Sequence, residues 1–424
     1  VERGCIYRGC AVGIVSVLAL LSAFTLALPR EANTQHLELS LLTVIPAPGY
    51  AGAVSRGYCS SGYCQLWNFT GIGYAGMDVN LWGLSGLEST SSGEATMSIV
   101  TDGTLYTKSM WALNKVPSSY TMAYHEIIYG SKPWNTPVRE NPQFLSTPIR
   151  IRDAPRILIA TNYSIIRAQP AINMAFEAWL FTDPNNVRAP RAGDLELMVE
   201  LHSDISEDYA KKGALKSVPL VINGQLVYRD FDIIVYEVSQ TFIKFKPRQN
   251  IDKGYVIFDY TYFINATKQF LKSIGWSKGG TTPDMIDDLY IMSLELGTEV
   301  FTGTTTPAKI DVEWYMYNYS IVLAPKTVPA EQALQQVAKI LATNTLTTIT
   351  VKATTTVLLI VKETVECAAL TIISTVTSAT TRIQTLMQTI TTTATQIDWR
   401  ATASIATILL IIGIVIGWIA RRKW

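Results

Sequence analysis

The chain has 424 residues, with 35 Lys and Arg against 34 Asp and Glu and a formal net charge of +1. Only 16% of the residues are charged, whereas 48% are hydrophobic. The near-neutral balance leaves no basic footprint for nucleic acid, and the length allows one large domain with additional segments.

At the amino end, Arg3 and Arg8 precede an apolar run from about Ala11 to Leu28, which Pro29 and Arg30 interrupt. The pattern predicts a secretory signal over 1–28, with cleavage near Ala27. A retained anchor is the competing reading, because the run almost suffices to span a bilayer. Val1 in the place of Met suggests an alternative start codon and a prokaryotic source. Cys5 and Cys10 lie in this segment. Cys59 and Cys64, in "GYCSSGYCQLW", are spaced to close a small loop and are predicted to be oxidised to a disulfide outside the cell. No further Cys or His lies near enough to make that pair a metal site, and no metal is expected.

Residues 43–325 read as one folded domain. Short alternating or apolar runs such as "ATMSIVTDGTLYTKSMWAL" and "PLVINGQLVYRDFDIIVYEV" are separated by turn signals, with Asp102-Gly103 and Asn223-Gly224 as hairpin dipeptides. One helix is predicted around Thr261–Ile274 and a second, shorter one near Pro283–Leu289. Many strands without βα alternation predict an all-β antiparallel sandwich or barrel.

Three of these strands carry carboxylates away from their apolar face. In "AINMAFEAWLFTD", Asn173, Ala175, Glu177, Trp179 and Phe181 oppose Ile172, Met174, Phe176, Ala178 and Leu180. In "GDLELMVELHSD", Glu196, Met198, Glu200 and His202 oppose Leu195, Leu197, Val199 and Leu201. In "SLELGTEVFTG", Glu295, Gly297, Glu299 and Phe301 oppose Leu294, Leu296, Thr298 and Val300. A solvated face is the plain reading of any one strand. Carboxylates interleaved with Trp, Met and Phe on three strands fit a sugar-binding cleft better, since aromatic planes stack on pyranose faces and two carboxyl groups flank the scissile bond. Glu126 and Glu295 read as solvated charges, His202 as a rim residue, and His36 and His125 as structural or surface residues.

Residues 328–399 form a spacer, in which Val328–Gln396 is rich in Thr and β-branched residues and has no Pro after Pro329 and no Gly. One reading is a glycosylated extended stalk. The favoured one is a long helix, able to form an oligomeric coiled coil, because Leu334, Val337 and Leu341, and later Val365, Ala369 and Ile372, keep a rough heptad spacing. Cys367 is left over and is available to bridge two chains. Residues 401–420 predict a transmembrane helix. Arg421, Arg422 and Lys423 place the tail, 421–424, in the cytoplasm and the folded domain outside. The sequons at Asn68, Asn162, Asn265 and Asn318 agree with an exterior location.

At this point the residues resemble glycoside hydrolase family 12, the endo-β-1,4-glucanases and cellulases. The resemblance covers most of Leu66–Leu323. "VNLWG" (Val79–Gly83) is similar to the family's Asn-x-Trp-Gly element, and "YHEIIYGSKPWN" (Tyr124–Asn135) to a segment of archaeal members. "AFEAWLF" resembles the strand of the supporting acid, "LELMVEL" the nucleophile strand and "LGTEVFTG" the acid/base motif. The resemblance implies a β-jelly roll of two curved sheets with one main helix. It also implies that Glu196 is the nucleophile, Glu299 the acid/base and Glu177 the support of the nucleophile. Trp82 becomes a subsite platform, with Asn80, Met198, Trp134, Trp179, Phe301 and Glu200 as further substrate-binding candidates. No cofactor is required. Three positions depart from the family pattern: Leu195 replaces the Asn before the nucleophile, Glu200 replaces a Trp, and Glu177 replaces an Asp. The reading is a surface-anchored, retaining endo-β-1,4-glucanase acting on cellulose or a related β-glucan. The alternatives are a glycan-binding surface protein without activity, or a glycosidase or transglycosylase acting on another polysaccharide such as xyloglucan.

Overall fold

The computed structural model describes residues 39–342, apart from 51, 53, 61, 62, 65, 135 and 187, and without the side chains of 54–64. The expected signal segment, the spacer beyond 342 with Cys367, the transmembrane helix and the tail lie outside the described residues. Among the described residues no helix is long and apolar enough to cross a membrane.

The strands in chain order are β1 (Ser40–Ile45), β2 (Val54–Ser60), β3 (Tyr63–Cys64), β4 (Thr70–Ile72), β5 (Ala75–Asp78), β6 (Ser91–Ile99), β7 (Leu105–Leu113), β8 (Thr121–Gly130), β9 (Ile149–Arg150) and β10 (Arg156–Gln169). They continue with β11 (Ala171–Phe181), β12 (Leu195–Ser203), β13 (Lys211–Ile222), β14 (Gln225–Glu237), β15 (Thr241–Pro247), β16 (Lys253–Asp259), β17 (Tyr290–Ile291), β18 (Ser293–Phe301) and β19 (Ala308–Ala324). Helix α1 spans Tyr260–Ser273, one residue from the predicted start, and Asp259 caps it by accepting from the Tyr262 amide at 3.1 Å. The second predicted helix is a 3-10 segment, Pro283–Asp288.

The hydrogen-bonded path runs β4–β5–β8–β18–β11–β12–β15–β14–β13–β16–β10–β19–β7–β6–β2–β3. Among the described residues the β12–β15 pair is parallel and the other ladders are antiparallel. The path folds over so that its two halves pack face to face. Leu197, Val199, Phe176 and Leu296 from one half join Ile159, Val312, Trp314 and Ile321 from the other in one core. The register of β13 on β14 shifts between Leu215 and Val218, where Ser217 takes φ 53°. The predicted Asn223-Gly224 turn closes the β13–β14 hairpin with φ 50° and 81°, as a two-residue turn with both residues left-handed requires.

Cys59 and Cys64 are backbone partners across β2 and β3, but their side chains lie outside the described residues. The spacer does not begin at the domain edge. Residues 330–342 form a helix whose Ala333, Leu334 and Val337 pack on Leu158, Val221, Ile257 and Val322 of the sheet, with Leu341 beside them. The first part of the heptad-like spacing therefore serves contact with the domain. Of the sequon asparagines, Asn265 is exposed on α1, while the Asn318 amide donates to the Ile45 carbonyl at 3.2 Å.

Candidate active site

The carboxylates singled out in the sequence share one sheet face, on β8, β18, β11 and β12. Their apolar alternates, including Leu195, Leu197, Val199, Leu294 and Leu296, are fully buried in the core, as the period-two pattern predicts. Gly297 lets β18 lie close to β8, since a Cβ there would meet the His125 carbonyl oxygen at 2.1 Å.

Glu196 on β12 pairs in register with Trp179 on β11, and Met198 pairs with Glu177. Glu177 is 3% exposed, and its carboxyl is a side-chain hydrogen-bond partner of Glu196. Gln240, just before β15, also donates to Glu196 Oε2, at 2.7 Å. Burial raises the Glu196 carboxyl to about 8, against the pull of the Gln240 amide, while the Glu299 charge adds to the rise and the Glu177 hydrogen bond opposes it. Burial, then the Glu196 charge, pushes Glu177 well above the ordinary carboxylate range. The two carboxyl groups therefore share their protons and titrate as a pair.

Glu299 on β18 lies across β11, held by Asn173. The Asn173 amide donates to Glu299 Oε2 at 2.6 Å, and its oxygen accepts from the Glu299 backbone N–H at 2.8 Å. Burial raises the Glu299 carboxyl, and Lys244 pulls it down. Sequence reading placed Asn173 on this face without assigning it a role, and missed Gln240 and Lys244. The signal for Lys244 was present: "TFIKFK" sets a lysine on the β15 face whose alternates are core Ile243 and Phe245.

Several expectations are corrected. Glu200, expected to face substrate, is fully buried; its Oε1 lies 2.9 Å from Lys244 Nζ and accepts from Asn173 at 3.0 Å. Glu126 and Glu295, expected to be solvated, are also fully buried and share Lys132, each at 2.8 Å. Two carboxylates sunk in a sheet face require such a cation, and "YGSKPW" supplies it from the turn after β8. His202, expected at the rim, is 6% exposed, with its nitrogens 2.8 Å from Asp252 and 3.0 Å from Asp204. Met198 is buried within this layer and touches the Asn173 amide through sulfur. His125 is buried, its Nδ1–H donates to the Val79 carbonyl at 2.6 Å, and burial lowers its pKa to about 4.

The other aromatic candidates divide between surface and interior. Trp82 opens a 3-10 turn (Trp82–Leu84) and is 39% exposed. Beside it, Asn80 is buried with φ 36°; its amide donates to Glu126 at 2.6 Å and its carbonyl accepts from the Tyr124 N–H on β8. Trp134 is 52% exposed, takes φ 66°, and meets Trp179 edge to face at 5.2 Å. Trp179 is 5% exposed, and its indole N–H has no hydrogen-bond partner among the described residues. Phe301 is buried at the end of β18. The face therefore combines a hydrogen-bonded carboxyl pair, a separately held third carboxyl and exposed indoles.

Solved structures similar to this chain include a metagenome-derived glycoside hydrolase family 12 endoglucanase, at 13% identity over 65% of this chain and 100% of that one, with TM-score 0.44. Others are the endoglucanase cel12A from Rhodothermus marinus (14%; 62% and 98%; TM-score 0.41) and a family 12 xyloglucanase from Bacillus licheniformis (17%; 63% and 99%; TM-score 0.41). No curated protein matches the chain. The profile described as Glycosyl hydrolase family 12 matches residues 73–323, more than half of the chain, and the carboxylate-bearing strands all lie within it: the chain belongs to glycosyl hydrolase family 12.

Proposed function

We propose that this family 12 hydrolase is a retaining endo-β-1,4-glucanase that cuts cellulose or a related β-glucan at the cell surface, anchored by the apolar segment 401–420. The observation that carries the reading is that Glu196, buried beside the Glu177 carboxyl and the Gln240 amide, shares a sheet face with Glu299, which a different partner, Asn173, holds. In this reading Glu196 attacks the anomeric carbon while the glycosidic C–O bond breaks and the Glu299 proton passes to the leaving oxygen. Water then attacks the glycosyl-enzyme, Glu299 takes its proton, and Glu196 is released as carboxylate. Glu177 directs which oxygen of Glu196 attacks. Trp82 and Trp134 offer exposed indoles for pyranose stacking.

The test measures reducing-end release by the full chain from carboxymethyl cellulose, mixed-linkage β-glucan and xyloglucan. Glu196→Gln and Glu299→Gln should each lower kcat by at least roughly 10³-fold with retained folding. Wild-type protein that binds these glucans and releases nothing would leave a glycan-binding protein, and release confined to xyloglucan would reassign the substrate.

A further inference from the structure

Beneath Glu299 lies a second charged cluster that the chemistry above does not use. Lys244 on β15 is 2% exposed and its Nζ stands 2.9 Å from Glu200 Oε1, 2.9 Å from Glu207 Oε1 and 3.7 Å from Glu299 Oε2. Glu200, on the adjacent strand β12, is fully buried and shares the Asn173 amide with Glu299, at 3.0 Å and 2.6 Å. One ammonium and one amide thus join three carboxyl groups from two strands and a loop. A buried ion pair retained only for stability is replaceable by apolar residues of like volume. This one ends at the carboxyl group that the proposed reaction requires to move a proton.

We propose that Lys244 and Glu200 are positioning residues for Glu299: their buried pair fixes the Asn173 amide, and Asn173 fixes both the backbone and the carboxyl of Glu299. The inference rests on the acid/base role assigned to Glu299 above. Neither residue reaches substrate, since both are sealed below the face.

The same cluster sets the charge around Glu299. The groups that face it are Tyr124 on β8, Asn173 on β11, Glu196 and Glu200 on β12, Lys244 on β15 and Glu207 in the loop before β13. Burial raises Glu299, Lys244 opposes the rise, and the charges of Glu200 and Glu207 reinforce it. Burial works against the Lys244 ammonium too, but its three carboxyl neighbours outweigh that and keep it charged. Removing the Glu200 charge therefore makes Glu299 lose its proton at lower pH, and removing the Lys244 charge makes it hold the proton to higher pH.

The experiment compares pH profiles of kcat/KM on carboxymethyl cellulose for the full chain and for Glu200→Gln, Lys244→Met and Lys244→Arg, with folding checked by circular dichroism. The basic limb should move down by about one pH unit in Glu200→Gln and up by a similar amount in Lys244→Met. Lys244→Arg, which keeps the charge, should stay near wild type. In both charge-removing variants kcat should fall about tenfold while KM changes by less than about twofold. If Lys244→Met does not fold, Glu207→Gln replaces it and should shift the limb in the same downward direction as Glu200→Gln. A folded Glu200→Gln whose basic limb superimposes on wild type, or moves up, overturns the inference. Wild-type protein with no activity, or Glu299→Gln with full activity, would instead sink the reading on which the inference rests.

Discussion

At the residue scale, the distinction among the carboxyl groups comes from their partners. Glu126 and Glu295 are neutralised by a shared lysine, and Glu200 and Glu207 by another. Glu196 has no cation at hydrogen-bonding distance among the described residues; its partners are the Gln240 amide and the Glu177 carboxyl. An amide donor favours the charged form of the group it touches. Gln240→Leu should therefore raise the proton affinity of Glu196 and move the acid limb of the pH–rate profile up by about one unit, with roughly tenfold lower kcat/KM on the acid side. A pH titration of kcat/KM checks this, and an unmoved acid limb would mean that another group controls it.

At the element scale, the helix 330–342 is part of the folded domain. It covers Leu158, Val221, Ile257 and Val322, which a chain ending at Pro325 would expose. Its face is apolar at Leu334, Val337 and Leu341, which suits a sheet as well as it suits a second helix, so the spacing by itself did not distinguish the two. Leu334 is fully buried, and Leu334→Ala should cost about 2–5 kcal/mol of stability by leaving a cavity. Denaturant unfolding checks this. A chain ending at Ala342 should unfold like the folded domain of the full chain, and one ending at Pro325 at clearly lower denaturant. Equal midpoints for the two truncations would show that the helix adds nothing.

At the scale of the whole molecule, the proposed anchoring predicts that the full chain fractionates with membranes while a chain ending at Ala342 with its amino-terminal segment processed is released. Protease added to intact cells should then remove glucanase activity from the cell pellet and leave the 421–424 tail protected. Activity that survives such treatment in intact cells, and yields only after lysis, would refute an exterior domain.

The sequence by itself determined the elements and their faces. Alternation in Leu195–Leu201 and Leu294–Val300 was enough to separate core side chains from the carboxylate face, because pleat geometry fixes a period of two whatever the fold. The Asn223-Gly224 hairpin and helix α1 were legible for the same reason, since left-handed turns and caps are local chemistry. The Glu-bearing motifs brought the family with them. What sequence could not decide is which polar side chains on that face meet solvent. Glu200, Glu295 and His202 alternate with core residues as an exposed set would, yet they are buried. Apart from Asp204, a chain neighbour of His202, their partners Lys244, Lys132 and Asp252 arrive from segments distant in the sequence. Only the order of strands across the sheet decides which charges become neighbours, and a buried charge is tolerated or costly according to that neighbour alone.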